Sequence, residues 1–310
     1  MVFHLNILPW ARTIFIVLSQ RIIKNSVSKT RGNWLEHMFQ NTRQRSFFGS
    51  AVTIAELVYH TTVRDVRKTH GNAFMALLVN ILTAVIFVLA FYVMFTVLGL
   101  RGAKLRGDFM LYMMSGIFLF LTHIKALSAV SSAETSSSPM MQHAPMNTVI
   151  SILSAALGAL YLQVLSALVI LFFYHTVFQR IEIDDPIGAF GMLLIAWFTG
   201  VAVGLLFLAI KPWFPTFAQM AQTVYMRVNM IASGKLFVAN MLPSYMLAYF
   251  DWNPLFHAID QCRGYIFANY FPRTTDYMYA IKVGFVLMII GLLGEFYTRQ
   301  YASASWGARR

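Results

Sequence analysis

The sequence predicts an all-α polytopic membrane protein, and three observations carry that prediction. Of its 310 residues 58% are hydrophobic and only 12% charged, against roughly 45–50% apolar and about 25% charged in soluble domains. Mean hydropathy is +0.62. The apolar residues gather into stretches near the roughly 20 residues that a helix needs to cross a bilayer core. In a soluble chain a net charge of +12 would suggest nucleic acid, but the basic residues here cluster in the first 73 positions and at the extreme C-terminus. Membrane orientation explains that distribution better than a nucleic-acid partner does. The lone Cys262 forms no internal disulfide, no Cys/His cluster has zinc spacing, and no metal site is expected.

Residues 1–45 read as a cytoplasmic or membrane-surface extension and residues 46–310 as a transmembrane domain. The opening MVFHLNILPWARTIFIVLSQ lacks a basic n-region and a small-residue cleavage site, while Pro9 and Arg12 interrupt an apolar run already short for a span. It reads as a helix lying on the inner surface, with a true span as the alternative. Next, VTIAELVYHTTVRDVRKTHGN places Ile54, Leu57, Val58 and Thr61 on one helical stripe and Glu56, His60, Arg64 and Arg67 on another. This amphipathic helix suits the membrane interface, either as an anchor beside a span or as a docking surface for a cytoplasmic partner.

Six stretches then have the length and composition of spans: Phe74 to Leu98, Phe109 to Val130, Val149 to Phe173, Ile187 to Ile210, Val228 to Phe250, and Tyr277 to Phe296. The fifth contains Asn229, Lys235 and Asn240, and charge inside a span is costly unless it faces water or a partner. Ten Lys/Arg precede the first span and Arg299, Arg309 and Arg310 follow the last, so both termini read as cytoplasmic. Arg101, Lys104 and Arg106 in the first loop oppose this. Glu182, Asp184 and Asp185, before the fourth span, suit the outer side.

After the fifth stretch, DWNPLFHAIDQCRGYIFANYFP opens with a helix start signal, since Asn253 can cap free N–H groups and Pro254 suits the first helical position. His257, Asp260 and Arg263 then share one face and Leu255, Ile259, Cys262 and Ile266 the other. Tyr245, Tyr249, Phe250, Trp252, Phe256, Tyr265, Phe267, Tyr270 and Phe271 surround this short helix. Aromatic faces can stack on the C–H faces of sugars; they can equally form a belt at the membrane interface. The His257, Asp260 and Arg263 face reads first as a structural polar network.

Catalytic signatures are missing. Ser233-Gly234-Lys235 lacks the upstream glycine and the following Ser/Thr of a phosphate-binding loop, and neither HExxH nor GxSxG occurs. With few acids inside spans, an ion-coupled secondary transporter is disfavoured.

The order of features resembles the membrane subunits (permeases) of type-2 ABC exporters, and within them the branch that exports capsule and O-antigen polysaccharides. The resemblance runs from about Phe47 to Arg299. It rests on AELVYHTTVRDVRKTHGN just before span one, GDFMLYMMSGIF entering span two and SSPMMQHAPMN before span three. Above all it rests on SGKLFVANMLPSYMLAYFDWNPLFHAIDQCR, which is similar to that family's Ser-Gly, Leu-Pro, then Asn-Pro-Leu, a His, an acidic residue and an Arg. Lys235 stands where an apolar residue is usual and Asp260 where Glu is commoner.

What the resemblance implies is a transport subunit, not an enzyme, in a multi-pass fold of the bacterial inner membrane. Its partners would be a second copy of itself and two separate ABC ATPase subunits that carry the ATP and Mg, so that this chain holds no cofactor. The substrate would be a lipid-linked, acidic polysaccharide, with periplasmic or outer-membrane export proteins as further candidate partners. Glu56, His60, Arg64, Asp65, Arg67 and Lys68 would meet the ATPase. Re-entrant helices between spans five and six, opened by Asn253 and Pro254 and carrying Asp260 and Arg263, would close the outer mouth. The translocation path would be lined by Arg227, Lys235, Asn240, Tyr245, Tyr249, Trp252, Phe256, His257 and Lys282. For Lys235 a bond to carbonyls of a neighbouring helix is the competing reading. Alternatives to the whole are export of a drug or small lipid, and a membrane-embedded glycosyl or acyl transferase. The last predicts a His/Asp/Glu cluster on one membrane face, and none is apparent.

Overall fold

A computed structural model describes residues 47–70, 72–99, 108–133 and 148–301. The surface helix expected near the N-terminus, the basic first loop, the Glu134–Pro145 loop and the C-terminal arginines Arg309 and Arg310 lie outside the described residues. By compactness the chain divides into Met1–Thr53 and Ile54–Arg310. Of the first unit only residues 47–53 are described, as the start of a helix.

The described residues are helical with no strand, and the local chemistry accounts for where the helices begin. Helix α1 (Phe47–His70) leads almost directly into α2 (Ala73–Val97), whose first turn is capped by Asn72 accepting from the Phe74 N–H at 3.2 Å. Asp108 caps α3 (Phe109–Ser131) through the Met110 N–H at 2.9 Å. After α4 (Thr148–Val177), Asp185 and Pro186 together start α5 (Pro186–Ile210), with Asp185 accepting from Ile187 and Gly188 at 3.0 Å each. Side-chain oxygens satisfy the orphan N–H groups of a first turn, and proline has none to satisfy. Then follow α6 (Pro215–Ala232), a 3-10 turn at Ala239–Met241, the single turn α7 (Ser244–Leu247), α8 (Pro254–Ile266) and α9 (Tyr277–Tyr301).

Among the described residues five helices, α2, α3, α4, α5 and α9, are long and apolar enough to cross a membrane, and they coincide with five of the six predicted spans. The predicted span at Val228–Phe250 is not one helix. Its helix, α6, starts at Pro215 and stops at Ala232, and Gly234 then turns the chain at φ +71°. Gln219, Gln222, Arg227 and Asn229 make α6 more polar than its neighbours. The displacement has a physical cause: Gly234, Lys235 and Pro243 interrupt the apolar run, and a left-handed glycine cannot continue a helix.

Helices α3, α5 and α9 run in the same direction at very short range. A Cβ on Gly200 of α5 would stand 2.4 Å from the His123 carbonyl oxygen of α3, and one on Gly204 2.8 Å from that of Leu127. On the other side of α5, a Cβ on Gly284 of α9 would lie 2.5 Å from the Phe198 ring and one on Gly291 2.7 Å from Leu205 Cβ. In lipid, apolar burial does not drive helices together, so small residues that admit dispersion contact take over. Helices α2 and α4 are joined by polar side chains: Asn80 donates to Ser166 Oγ at 2.9 Å and accepts from Gln163 Nε2 at 3.0 Å. At the end of the bundle where α3, α5 and α9 terminate, Lys211 donates to the Ser131 carbonyl at 3.3 Å and Trp213 to Thr298 Oγ1 at 2.9 Å. From there α6 runs back toward the opposite end, passing His123, whose Nε2 lies 3.0 Å from the Tyr225 hydroxyl.

Candidate functional site

Between Ala232 and Tyr277 the chain enters the bundle and turns back. Helix α8 lies antiparallel to α5, its C-terminal end pinned at the start of α5 by Asp185 N–H donating to the Tyr265 carbonyl at 2.8 Å. Thirteen residues long, it rises about 20 Å at 1.5 Å per residue, so its first turn lies deep among the spans. Non-helical backbone at that depth must find partners within the protein or face a hydrated cavity. The polar residues of the segment supply those partners.

Asn253 joins two helix ends. Its Oδ1 accepts from the Leu255 N–H at 3.1 Å, while its Nδ2 donates to Asn229 Oδ1 at 2.9 Å and to the Ala232 carbonyl at 3.0 Å. Thus the start of α8 is tied to the end of α6. Asp260 accepts from the Ala239 N–H at 3.2 Å, the Tyr270 hydroxyl at 2.7 Å and the Thr275 hydroxyl at 2.8 Å. Burial and the adjacent Asp260 carboxylate raise the Tyr270 phenol, which keeps its donated proton. Arg263 donates to the carbonyls of Gly234 (3.0 Å), Lys235 (2.6 Å) and Phe237, and its guanidinium stacks 4.2 Å from the Tyr112 ring centre. His257 accepts the Asp276 N–H at Nδ1 (3.0 Å), so Nε2 carries the proton and donates to the Asp251 carbonyl at 2.7 Å. Its ring lies 4.5 Å from that of Tyr279.

Both stripes of α8 are therefore buried. Leu255, Ile259, Cys262 and Ile266 join the apolar core with α3 and α5, and the His257, Asp260 and Arg263 face is a scaffold for the irregular backbone beside it. Gly234 is required for two reasons: its positive φ favours glycine, and a Cβ would stand 2.4 Å from the Phe256 ring.

The residues expected along a route divide into two sets. Tyr245, Tyr249 and Trp252 are exposed, at 71%, 72% and 55%, and Arg227, Asn240 and Lys282 are also exposed. Asn240 is nonetheless held, donating to the Phe271 carbonyl at 2.8 Å and accepting from the Arg273 N–H at 3.1 Å. Phe256, His257 and Lys235 are buried. Lys235 departs furthest from the expectation that it faces water: in the protomer it has no exposed surface, and its Nζ has no hydrogen-bond partner among the described residues. Its Nζ lies against phenyl faces, 3.3 Å from the ring centre of Phe120, 5.1 Å from Phe91 and 5.8 Å from Phe87. It is the Lys235 carbonyl, bonded to Arg263, that carries the polar contact.

On α1, Glu56, His60 and Arg64 are exposed, with His60 Nε2 3.8 Å from Glu56 Oε1, while Val58 and Thr61 are buried. Asp65, Arg67 and Lys68 lie in the same helix, their side chains outside the described set. Sequence reasoning passed over His123, which is fully buried with Nδ1 3.1 Å from Thr199 Oγ1 and 3.2 Å from the Ala196 carbonyl. An ionisable residue in mid-span was the available signal. The phenyl seat of Lys235 left no such signal, because Phe87, Phe91 and Phe120 sit in ordinary apolar spans.

The sequence model of the ABC-2 type transporter family matches residues 56–267, more than half of the chain and all of the segment from α2 through α8. No curated protein matches the sequence.

Proposed function

Since the chain belongs to the ABC-2 type transporter family, we propose that it is the permease subunit of an exporter that moves a lipid-linked, acidic polysaccharide across the bacterial inner membrane. Two copies of the chain work with two ABC ATPase subunits, which carry the ATP and Mg, and both termini lie on the cytoplasmic side. Hydrolysis occurs on the partner; this chain converts it into alternate opening of the two membrane faces.

The observation that carries the reading is the interrupted segment 233–276. It places non-helical backbone inside the bundle, which only a protein interior or a hydrated route accommodates, and holds it with a buried polar face. Tyr245, Tyr249 and Trp252 project from its outer surface, offering flat rings to sugar C–H faces. Arg227 and Lys282 are exposed cations that suit acidic groups of a polymer; Lys235, buried in the protomer, is not part of that surface. A polysaccharide is favoured over a small drug by the spacing of these rings along a segment rather than around a pocket. Helix α1, basic toward its end and two residues short of α2, would dock the ATPase with Glu56, His60, Arg64, Asp65, Arg67 and Lys68 and pass its closure to α2 as a rigid lever.

Deletion of this permease, with the ATPase retained, should leave the polymer inside the cell, measured as loss of surface polysaccharide with a matching intracellular pool. Unchanged surface polymer together with altered resistance to amphipathic drugs would instead support the small-molecule alternative. Charge reversal at Arg64 and Arg67 should abolish co-purification of the ATPase without removing the permease from the membrane; retained co-purification would sink the docking role.

A further inference from the structure

We propose that Lys235 and the three phenyl rings around it form a release catch, which holds the 233–243 turn closed against α2 and α3 while keeping it ready to open. The seat is built from two helices. Phe87 and Phe91 stand one turn apart on α2 with ring centres 6.2 Å apart, and Phe120 of α3 completes it at 6.3 Å from Phe87. The turn is aimed into the seat by three features outside the side chain itself. Gly234 adopts φ +71°, Arg263 holds the Lys235 carbonyl at 2.6 Å, and a Cβ on Gly116 of α3 would stand 3.0 Å from Lys235 Cα.

Chemically the seat is a compromise. An amine with no exposed surface and no hydrogen bond among the described residues has lost its hydration, which opposes burial, most strongly when it is charged. Ring faces stabilise the charge most when water is excluded, yet they do not replace three hydrogen bonds. The closed turn is consequently less stable than it would be with an apolar side chain of equal length, and withdrawal returns the ammonium to water. Buried charges behave this way generally: a well-packed apolar substitute is often the more stable one. The seat also lies on α2, which follows α1 after only Gly71 and Asn72. A shift of α2 would separate Phe87 and Phe91 from Phe120 and unseat the lysine. This coupling rests on the reading of α1 as the ATPase dock, whereas the catch itself does not.

The test uses full-length permease in lipid nanodiscs carrying Val238→Cys, a position with no exposed surface in the closed turn, with the buried native cysteine removed as Cys262→Ser, and measures labelling by a charged maleimide. Lys235→Met keeps length and removes charge; it should slow labelling by about tenfold, since it removes the reason to open. Phe91→Leu and Phe120→Leu keep apolar bulk and remove ring faces; each should speed labelling severalfold. The two kinds of variant thus move in opposite directions, which a lysine serving only as packing would not produce. Labelling of Lys235→Met at or above the parent rate overturns the catch. So do phenylalanine variants that label no faster, and these fold independently of whether Lys235→Met does. Adding the ATPase with ATP and vanadate should change the parent rate but not that of Lys235→Met. Failure of this arm alone removes the coupling through α1 and leaves the catch standing, and no arm depends on the substrate.

Discussion

The α3–α5–α9 core and the 233–276 segment occupy the same bundle and are held by opposite means. In the core, glycines bring backbones into contact and, apart from a few polar links such as His123 to Thr199, the packed groups are apolar, so its precision is mainly steric. In the segment, Asn253, Asp260, Arg263 and His257 bond to backbone groups that no helix satisfies. Its precision is that of donors and acceptors. Steric packing tolerates no intrusion but has no alternative state to move to. A hydrogen-bonded turn can exchange its partners for water, which is what a gate at the mouth of a route requires.

The sharpest break of this comparison is Gly200→Val. With the backbone of His123 already 2.4 Å from a virtual Cβ, neither helix can yield without parting, and a loss above the usual overpacking cost of about 1–3 kcal/mol is expected. Size-exclusion chromatography of the solubilised variant should show aggregate rather than a discrete peak. A folded Gly200→Val protein would mean that the core is looser than these distances indicate.

Next comes Asp260→Ala, which strands the Ala239 N–H, the Tyr270 hydroxyl and the Thr275 hydroxyl at once. Loss of about 3–5 kcal/mol is expected, as for removal of one partner from a buried charged network. Asp260→Asn, retaining two acceptor sites on one oxygen, should recover part of it in thermal unfolding. Tyr270 sets the pH behaviour of this knot. Its phenol is raised in the folded state, so its contribution is present in full below the unfolded value of about 10 and is lost only as pH climbs through the higher folded value. Thermal stability should therefore show no fall due to Tyr270 between pH 7 and 9.

Asn253→Ala sharpens the link between the two regions. It removes a cap of about 1 kcal/mol and the bonds to Asn229 and Ala232, so about 2 kcal/mol in all is expected. The effect should be local, with faster hydrogen exchange at the end of α6 and the start of α8 and none at Gly200 or Gly204. The smallest stability effect belongs to Tyr249→Ala and Trp252→Ala, whose rings are exposed: within about 0.5 kcal/mol. Their transport of polymer should nevertheless fall several-fold, and unchanged transport would reduce these rings to a membrane belt.

The membrane class, the starts of five spans to within a residue, the helix before the first, and the start of α8 at Asn253–Pro254 were all legible in the sequence. These follow from local chemistry: apolar run length, a capping side chain, a proline without an N–H. The sharing of one face by His257, Asp260 and Arg263 was equally legible, since helical spacing alone sets it. What that face meets depends on long-range packing. Nothing in the spacing says that Arg263 would bond three backbone carbonyls twenty-six to twenty-nine residues earlier, nor that α6 would begin at Pro215 and leave residues 228–250 broken. Lys235 is the clearest case. Its cost inside a membrane could be read from its type, and water was the plain remedy. The remedy the fold uses comes from Phe87, Phe91 and Phe120, residues more than a hundred positions away whose ring faces became partners for a charge only when α2 and α3 packed side by side.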